Sequence, residues 1–127
     1  MSYAKLNIDA AEDIAPKYGM DTQGETRIIR DDVGAKGIGM SYYRWKPGKR
    51  TSFGHTHEQA EEMYLVLRGS GRMKVDDEIV DFAQRDVIYV SPGAMREWEA
   101  GPDGADIVAF GHHFDGDATM TPGWWTD

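Results

Sequence analysis

The stretch GKRTSFGHTHEQAEEMYLVLRG, residues 48–69, contains candidate metal-ligating residues that are followed directly by an apolar run typical of a strand. It holds two of the chain's 4 histidines, His55 and His57, and Glu62 stands directly before the run Met-Tyr-Leu-Val-Leu. On an extended strand, a one-residue spacing places both imidazoles on the same side. Two imidazoles and one carboxylate suit Fe, Mn, Ni or Zn and leave coordination positions open for a ligand. The stretch therefore predicts a divalent metal site at His55, His57 and Glu62. The alternative is a pair of surface histidines beside two solvated glutamates, because the His-x-His spacing is common and weak as a motif.

Outward from this stretch, short apolar runs alternate with Gly, Pro and Asp, which is typical of strands and turns. Asp76-Asp77 is predicted to form a hairpin turn, and residues 101–104 a further tight reversal. Before residue 25 we expect only one or two helical turns, with Asp9 as the cap and Pro16 limiting their length. The predicted strands are 25–30, 37–46, 61–67, 71–75, 78–82, 86–90, 96–99 and 105–110. Eight short strands without a long helix predict an all-β sandwich or barrel.

The chain's 127 residues are the size of one domain. We divide it into an N-terminal arm (1–24), a barrel region (37–111) and a C-terminal tail (112–127). The tail places Trp124 and Trp125 beside the end of the chain, where something must cover them. Together with the open edges of a small sheet, these tryptophans predict a symmetric homodimer.

The charge balance excludes several classes of partner. There are 14 basic and 22 acidic residues, for a net charge of −8, and no basic stripe that could follow phosphates. Nucleic acid and anionic membrane are therefore not expected as partners. No apolar run resembles a signal-peptide core or reaches the ~20 residues of a membrane helix. Because the chain has no cysteine, any metal must be held by imidazole and carboxylate. The absence of disulfides also fits a reducing compartment, so a cytoplasmic location is expected.

The spacing within residues 48–69 resembles the first motif of the cupin family. That motif reads glycine, about five residues, His-x-His, three or four residues, glutamate, six residues, glycine. Here Gly48 is followed after six residues by the two histidines, then after four by Glu62 and after six more by Gly69. Glu61 also fits the allowed gap, but Glu62 keeps the distance to Gly69. The resemblance spans residues 37–111. The ending, from Gly111 through Trp124-Trp125, resembles that of small single-domain bacterial cupins of unknown function. The resemblance implies a single cupin barrel, a double-stranded β-helix of the jelly-roll type. The family includes dioxygenases, isomerases, epimerases, decarboxylases, sugar-binding modules and storage proteins.

The second cupin motif is only partly present. Pro92-Gly93 fits its turn, but Arg96 stands where the resemblance implies a fourth ligand, a histidine. A guanidinium offers no lone pair, so Arg96 cannot bind metal. It either binds a carboxylate or phosphate of the substrate, or pairs with Glu62 in a metal-free pocket.

Several other side chains are candidates for the pocket. If residues 101–104 form a tight hairpin, position 109 lies opposite Arg96, and His113 or, after a one-residue slip, His112 could join the site near the rim. A solvated pair is the alternative for these two histidines. Tyr42 and Tyr64 are candidate substrate-binding residues, although most aromatic residues at strand positions serve the core.

These features lead to two functional hypotheses. In the first, the chain is a metal-dependent enzyme of the oxygenase or isomerase type that binds a small anionic molecule, which Arg96 orients. In the second, it is a non-catalytic module that binds a small ligand, with Arg96 paired to Glu62 and no metal. Fold class alone does not choose between them.

Overall fold

Strands make up most of the protein, and the computed structural model describes residues 2–127. The all-β prediction is confirmed. The strands are β1 (Gly24–Ile28), β2 (Ile38–Trp45), β3 (Phe53–His57), β4 (Glu62–Val75), β5 (Glu78–Ala83), β6 (Val87–Val90), β7 (Arg96–His112) and β8 (Ala118–Pro122). The helical elements are short: two 3-10 turns, Ile8–Ala10 and Ala15–Tyr18, and one α-helical turn, α1 (Arg30–Val33).

One curled antiparallel sheet contains all eight strands. Its main path is β1-β2-β7-β3-β8, and β4 joins it by pairing with β7 while also holding β5 and β6. β7 is the longest strand and pairs with β2, β3 and β4. β1 and β8 stand at the two ends of the path, so each pairs with one strand only. Both edges contribute to the pocket described below.

Large side chains fill the inner side of the sheet. Trp98 lies at the centre of an aromatic group, with ring centroids 4.7 Å from Tyr43, 5.9 Å from Trp45 and 5.8 Å from Tyr64. All three pairs meet edge to face, the arrangement that the charge distribution of aromatic rings favours. Trp45 and Tyr64 are each 1% exposed. This group fills the interior of the barrel, and its Tyr43 reaches the pocket described below.

The predicted reversal at residues 101–104 is wrong, because β7 runs through it as a continuous strand. The glycines serve a bulge instead: the β4–β7 register shifts between Gly69 and Gly71. Gly69 has φ of 81°, and a Cβ there would lie 2.0 Å from the carbonyl oxygen of Gly104. The two backbones approach this closely only without a side chain. Because the glycines form a bulge and not a turn, the two strands predicted at 61–67 and 71–75 are one continuous strand, β4.

The predicted turn at Asp76-Asp77 is confirmed, since β4 ends at Val75 and β5 begins at Glu78. At the N-terminus two short turns form as expected, but the predicted cap is wrong. Asn7, not Asp9, caps the first turn, because its side chain accepts a hydrogen bond from the Asp9 amide. Two strands were not predicted, β3 around the histidines and β8 within the tail.

The tail packs on its own barrel. Trp125 is 4% exposed, with the Arg50 guanidinium 4.0 Å from its ring centroid. Trp124 lies against Gly54, where a Cβ would come within 2.7 Å of the indole. Because the chain itself covers Trp125 and contacts Trp124, the tail no longer argues for a partner, and the homodimer stays a prediction. Within residues 2–127, no helix has the length and apolar character needed to cross a membrane.

Candidate metal centre

The three predicted metal ligands converge at the open end of the barrel. β3 carries His55 and His57, and the loop after His57 returns the chain so that Glu62 begins β4 beside them. One ligand atom from each residue lies within 4.8 Å of the other two. Glu62 Oε1 is 3.4 Å from His55 Nε2, and Glu62 Oε2 is 3.7 Å from His57 Nε2. The competing Glu61 is exposed and accepts a hydrogen bond from Tyr89. The geometry thus brings together the three residues that the sequence singled out.

Asp117, which the sequence did not suggest, holds the orientation of His57. Its Oδ2 lies 3.2 Å from His57 Nδ1, and it also accepts backbone hydrogen bonds from Gln59 (2.8 Å) and Ala60 (3.1 Å). Burial raises the pKa of Asp117, but the two amide donors and His57 outweigh it and hold that pKa below its usual value. A carboxylate only accepts, so His57 Nδ1 must carry the proton of this bond. In the neutral imidazole, the Nε2 lone pair then points to the ligand cluster, as in many metal sites.

Glu62 remains ionised within the cluster. Burial alone would raise its pKa, but hydrogen bonds with His55, His57 and Tyr64 outweigh burial and bring the pKa well below its usual range. Burial is also the main cause that lowers the pKa of His55, which favours a neutral imidazole. In the metal-free chain, these hydrogen bonds require protons on the imidazole Nε2 atoms that face Glu62. A divalent cation would take the place of these protons and bind both Nε2 lone pairs together with the carboxylate.

The residues present therefore fit a divalent metal. Bonds of about 2.0–2.2 Å from one ion place neighbouring donors about 3.0–3.5 Å apart. The carboxylate–imidazole separations of 3.4 and 3.7 Å lie in or close to that range. Two imidazoles and a carboxylate are compatible with each of the predicted metals, Fe, Mn, Ni and Zn, so the donor types do not select one of them.

Tyr64 supports the centre from below. It is 1% exposed, and its hydroxyl donates a hydrogen bond to Glu62 Oε1. Burial, together with the neighbouring Glu62 charge, raises the pKa of Tyr64 well above the ordinary value, so it stays protonated and donates. Its contact is with the ligand Glu62, whereas the sequence suggested a contact with the substrate.

Arg96 lies in the buried core beside His55. It is 0% exposed and stands opposite His55 in the β3–β7 pairing. Its Nη1 donates to the His55 carbonyl oxygen at 3.4 Å, while Nε and Nη2 have no partner in the described chain. The alternative prediction of an Arg96–Glu62 ion pair is wrong, because Glu62 instead faces the two histidines. Arg96 also lines neither lobe of the pocket described next.

Above the metal centre lies a cavity of about 300 Å³, here called the apolar lobe. Its walls come from both sheet edges, β1 and β8, from β2 and β3, and from the segment 14–20. The three ligand residues form its base, and Tyr18, Ile28 and Met120 line it with partly exposed side chains.

The predicted substrate contact at Tyr42 is wrong, because Tyr42 faces away from the cavity. It is buried on the opposite side of β2, next to Arg44 and Asp106. Tyr43 lines the cavity instead, and burial raises its pKa to about 12. Adjacent residues of a strand point to opposite sides, so the error is one of register by a single position.

A second cavity of about 230 Å³, the polar lobe, shares Ile28, Ser41, His57 and Glu62 with the first. His112 and His113 line it, together with Arg30 and Asp31. His113 Nε2 lies 2.9 Å from Asp115 Oδ1. Among the described residues, the ligand cluster contains only His55, His57 and Glu62, so neither of these two histidines joins it.

Comparisons with known proteins agree with this architecture. The family model described as "Cupin domain" matches residues 41–106. A cupin protein from Bacteroides fragilis superposes with a TM-score of 0.71 at 18% identity, covering 100% of this chain and 90% of its own. A single-residue variant of oxalate decarboxylase from Bacillus subtilis gives 0.75 at 18% identity, covering 91% of this chain but only 31% of its own. A putative sugar phosphate isomerase from Acidithiobacillus ferrooxidans gives 0.65 at 23% identity, covering 76% and 64%. No curated protein sequence matches the chain.

Proposed function

This chain belongs to the cupin family, and on that premise we propose that its barrel binds a small organic anion through a divalent transition metal held by His55, His57 and Glu62. The observation that carries the proposal is the convergence of two imidazoles and an ionised carboxylate at the base of a cavity of about 300 Å³. Pockets of this size are at the small end of ligand sites. Three protein ligands leave further coordination positions for the bound molecule.

The surrounding residues prepare the site. Asp117 fixes the proton of His57 on Nδ1, so that Nε2 is free to donate its lone pair. Tyr64 donates to Glu62 and keeps that carboxylate in place. A bound metal would supply Lewis acidity that polarises a coordinated oxygen. Arg96 lies outside the cavity, so anion binding in this proposal depends on the metal charge and not on a guanidinium.

The chemistry that this donor set suits is of the oxygenase or isomerase type. Two of the similar structures carry names that point to small anions, oxalate and a sugar phosphate. Their identities of 18% and 23% show a shared fold only, so these names support the ligand class of the proposal without naming a substrate.

The test is anion binding with and without the metal ligands. Calorimetric titration of oxalate, used as a probe anion, into metal-loaded protein should give measurable binding that disappears in His57→Ala. Glu61→Ala is the matched control, because it removes the adjacent exposed carboxylate, which lies outside the cluster and lines neither lobe. Equal oxalate binding by the native chain and by His57→Ala would overturn the proposal.

A further inference from the structure

We infer that the molecule bound at this centre carries an apolar body of about one ring, held in the apolar lobe, with its oxygen-bearing end directed to His55, His57 and Glu62. This inference rests on the proposed function, because it concerns the ligand of the same centre. It extends that function by a substrate class, namely aryl or similarly apolar molecules with a chelating head.

The lining of the apolar lobe carries the inference. Its ionisable groups are the three metal ligands at the base and two tyrosines, and its other polar groups are the hydroxyls of Thr26 and Ser41. The remaining wall is formed mainly by aromatic, methionine and aliphatic side chains, among them Ile14, Met20 and Phe53. In the described chain, no lysine or arginine lines this lobe. A fully polar anion such as a sugar phosphate would therefore find a few hydroxyl groups but no countercharge along these walls, and it would leave most of the apolar wall without a matching surface.

Three large apolar side chains in this lobe remain open to solvent. Tyr18 is 62% exposed, Met120 57% and Ile28 39%. They come from three separate elements, the second 3-10 turn, β8 and β1, which meet around the same cavity. Single exposed apolar residues need no explanation, but a group around a concave site with ligand atoms at its base is typical of ligand pockets.

The polar lobe provides an internal comparison. It opens onto the same His57 and Glu62, yet its wall includes Arg30, Asp31, His112 and His113. Apolar character is therefore a property of one side of the centre. A ligand with an apolar body and a polar head has a single favourable orientation, because only one of the two lobes offers it an apolar wall.

The volume limits the size of the body. About 300 Å³ is the lower limit of ordinary small-molecule sites, which accommodates one ring with its head group and excludes a polymer. Burial of apolar surface then adds to the affinity contributed by chelation.

The experiment compares two probes with the same chelating group, benzohydroxamate and acetohydroxamate, on metal-loaded protein. After correction for their affinities for the free metal, benzohydroxamate should bind at least tenfold more tightly. Met120→Gln, which makes the wall polar at nearly constant size, should reduce this ratio at least threefold. Met63→Gln is the matched control, because Met63 is 39% exposed on the outer side of β4 and should leave the ratio unchanged.

The outcomes separate the two proposals. Equal affinities of the two hydroxamates on protein that retains its metal would overturn the inference and leave the metal centre intact. If the protein retains no metal, the proposed function fails, and the metal-free chain is titrated with the fluorophore 1-anilinonaphthalene-8-sulfonate. Binding weakened by Met120→Gln but not by Met63→Gln then supports the apolar lobe, and the reverse contradicts it. A change of association state in Met120→Gln, measured by light scattering, would mark this region as a subunit interface and overturn the inference.

Discussion

Replacing Asp117 with asparagine should weaken metal binding by about 10–100-fold, the range observed when a partner of a metal-ligating histidine is removed. Asp117 is 7% exposed and uses both carboxylate oxygens as acceptors, Oδ1 for Gln59 and Oδ2 for Ala60 and His57. An asparagine retains only one acceptor and turns an NH₂ group towards a donor. If the NH₂ group replaces Oδ2, it faces His57 and Ala60, and the proton on His57 Nδ1 is no longer fixed. If it replaces Oδ1, the amide of Gln59 in the loop 58–60 loses its acceptor.

The same substitution should also lower stability. A hydrogen bond to a charged group contributes about 1.5–3 kcal/mol, and the Asp117→Asn variant loses at least one such bond. We therefore expect the metal-free variant to lose about 1.5–3 kcal/mol of unfolding free energy in urea titrations. Affinity is measured separately by competition with a chromophoric chelator at a temperature where both proteins are folded.

Asp115→Asn is the matched control for this prediction. Asp115 also pairs with a histidine, His113, at 2.9 Å, but its side chain is fully exposed and the pair lies outside the ligand cluster. This variant should bind metal within twofold of the native chain. Equal affinities for the Asp117 and Asp115 variants would refute the reasoning, because His57 would then not depend on Asp117 for its orientation.

Three further predictions concern the buried core and the tail. Arg96→Met should leave the free energy of unfolding unchanged or raise it by about 1 kcal/mol or more. The reason is that it removes a buried charge that has no carboxylate partner. A loss above about 3 kcal/mol, measured by urea titration, would instead reveal an ion pair. Glu97 is 3% exposed, and burial raises its pKa, so its ionisation lowers stability as the pH rises above the ordinary value of 4.5. Glu97→Gln should therefore be more stable than the native chain at pH 7 and lose this advantage below pH 4.5, and thermal melts showing a constant difference would contradict it. Trp125→Ala should cost about 3–5 kcal/mol of unfolding free energy, because the ring is enclosed by its own barrel; a cost below about 1 kcal/mol would place it outside the core.

The metal ligands were predictable because their spacing matches the first cupin motif, which also favours Glu62 over Glu61. His55 and His57 are two positions apart on one strand, and Glu62 follows after a short loop. The donor types, without cysteine as an alternative, then limit the metals that fit. These inferences require no knowledge of which distant strands pair.

Asp117 could not be predicted in the same way, because it lies 60 residues from His57 in sequence. The pairing of β3 with β8 brings it into contact, with His57 opposite Ala118. β8 lies in a tail whose Gly and Pro residues gave no strand signal. A residue that acts through a non-local pairing leaves no spacing pattern in a single sequence.

The errors at Tyr42 and Arg96 concern which side chains of correctly predicted strands face the cavity. β2 carries tyrosines at two adjacent positions, so apolar periodicity does not decide which one faces the pocket. At Arg96, the prediction depended on the alignment with the second cupin motif, which does not show whether the side chain reaches the cavity. The hairpin predicted at 101–104 concerned His112 and His113, and the structure has a bulge inside β7 there. Glycine favours both a turn and a bulge, and only the partner strand distinguishes them.

The most direct test of the central claim is the metal content of the purified chain. The protein is expressed without a histidine tag, loaded separately with Fe, Mn, Ni or Zn, dialysed, and analysed by inductively coupled plasma mass spectrometry. The account predicts about one ion per chain for at least one of these metals, and loss of that ion in His57→Ala with the fold retained by circular dichroism. Protein that retains none of the four metals, or an ion that persists in His57→Ala, would contradict a metal centre at His55, His57 and Glu62.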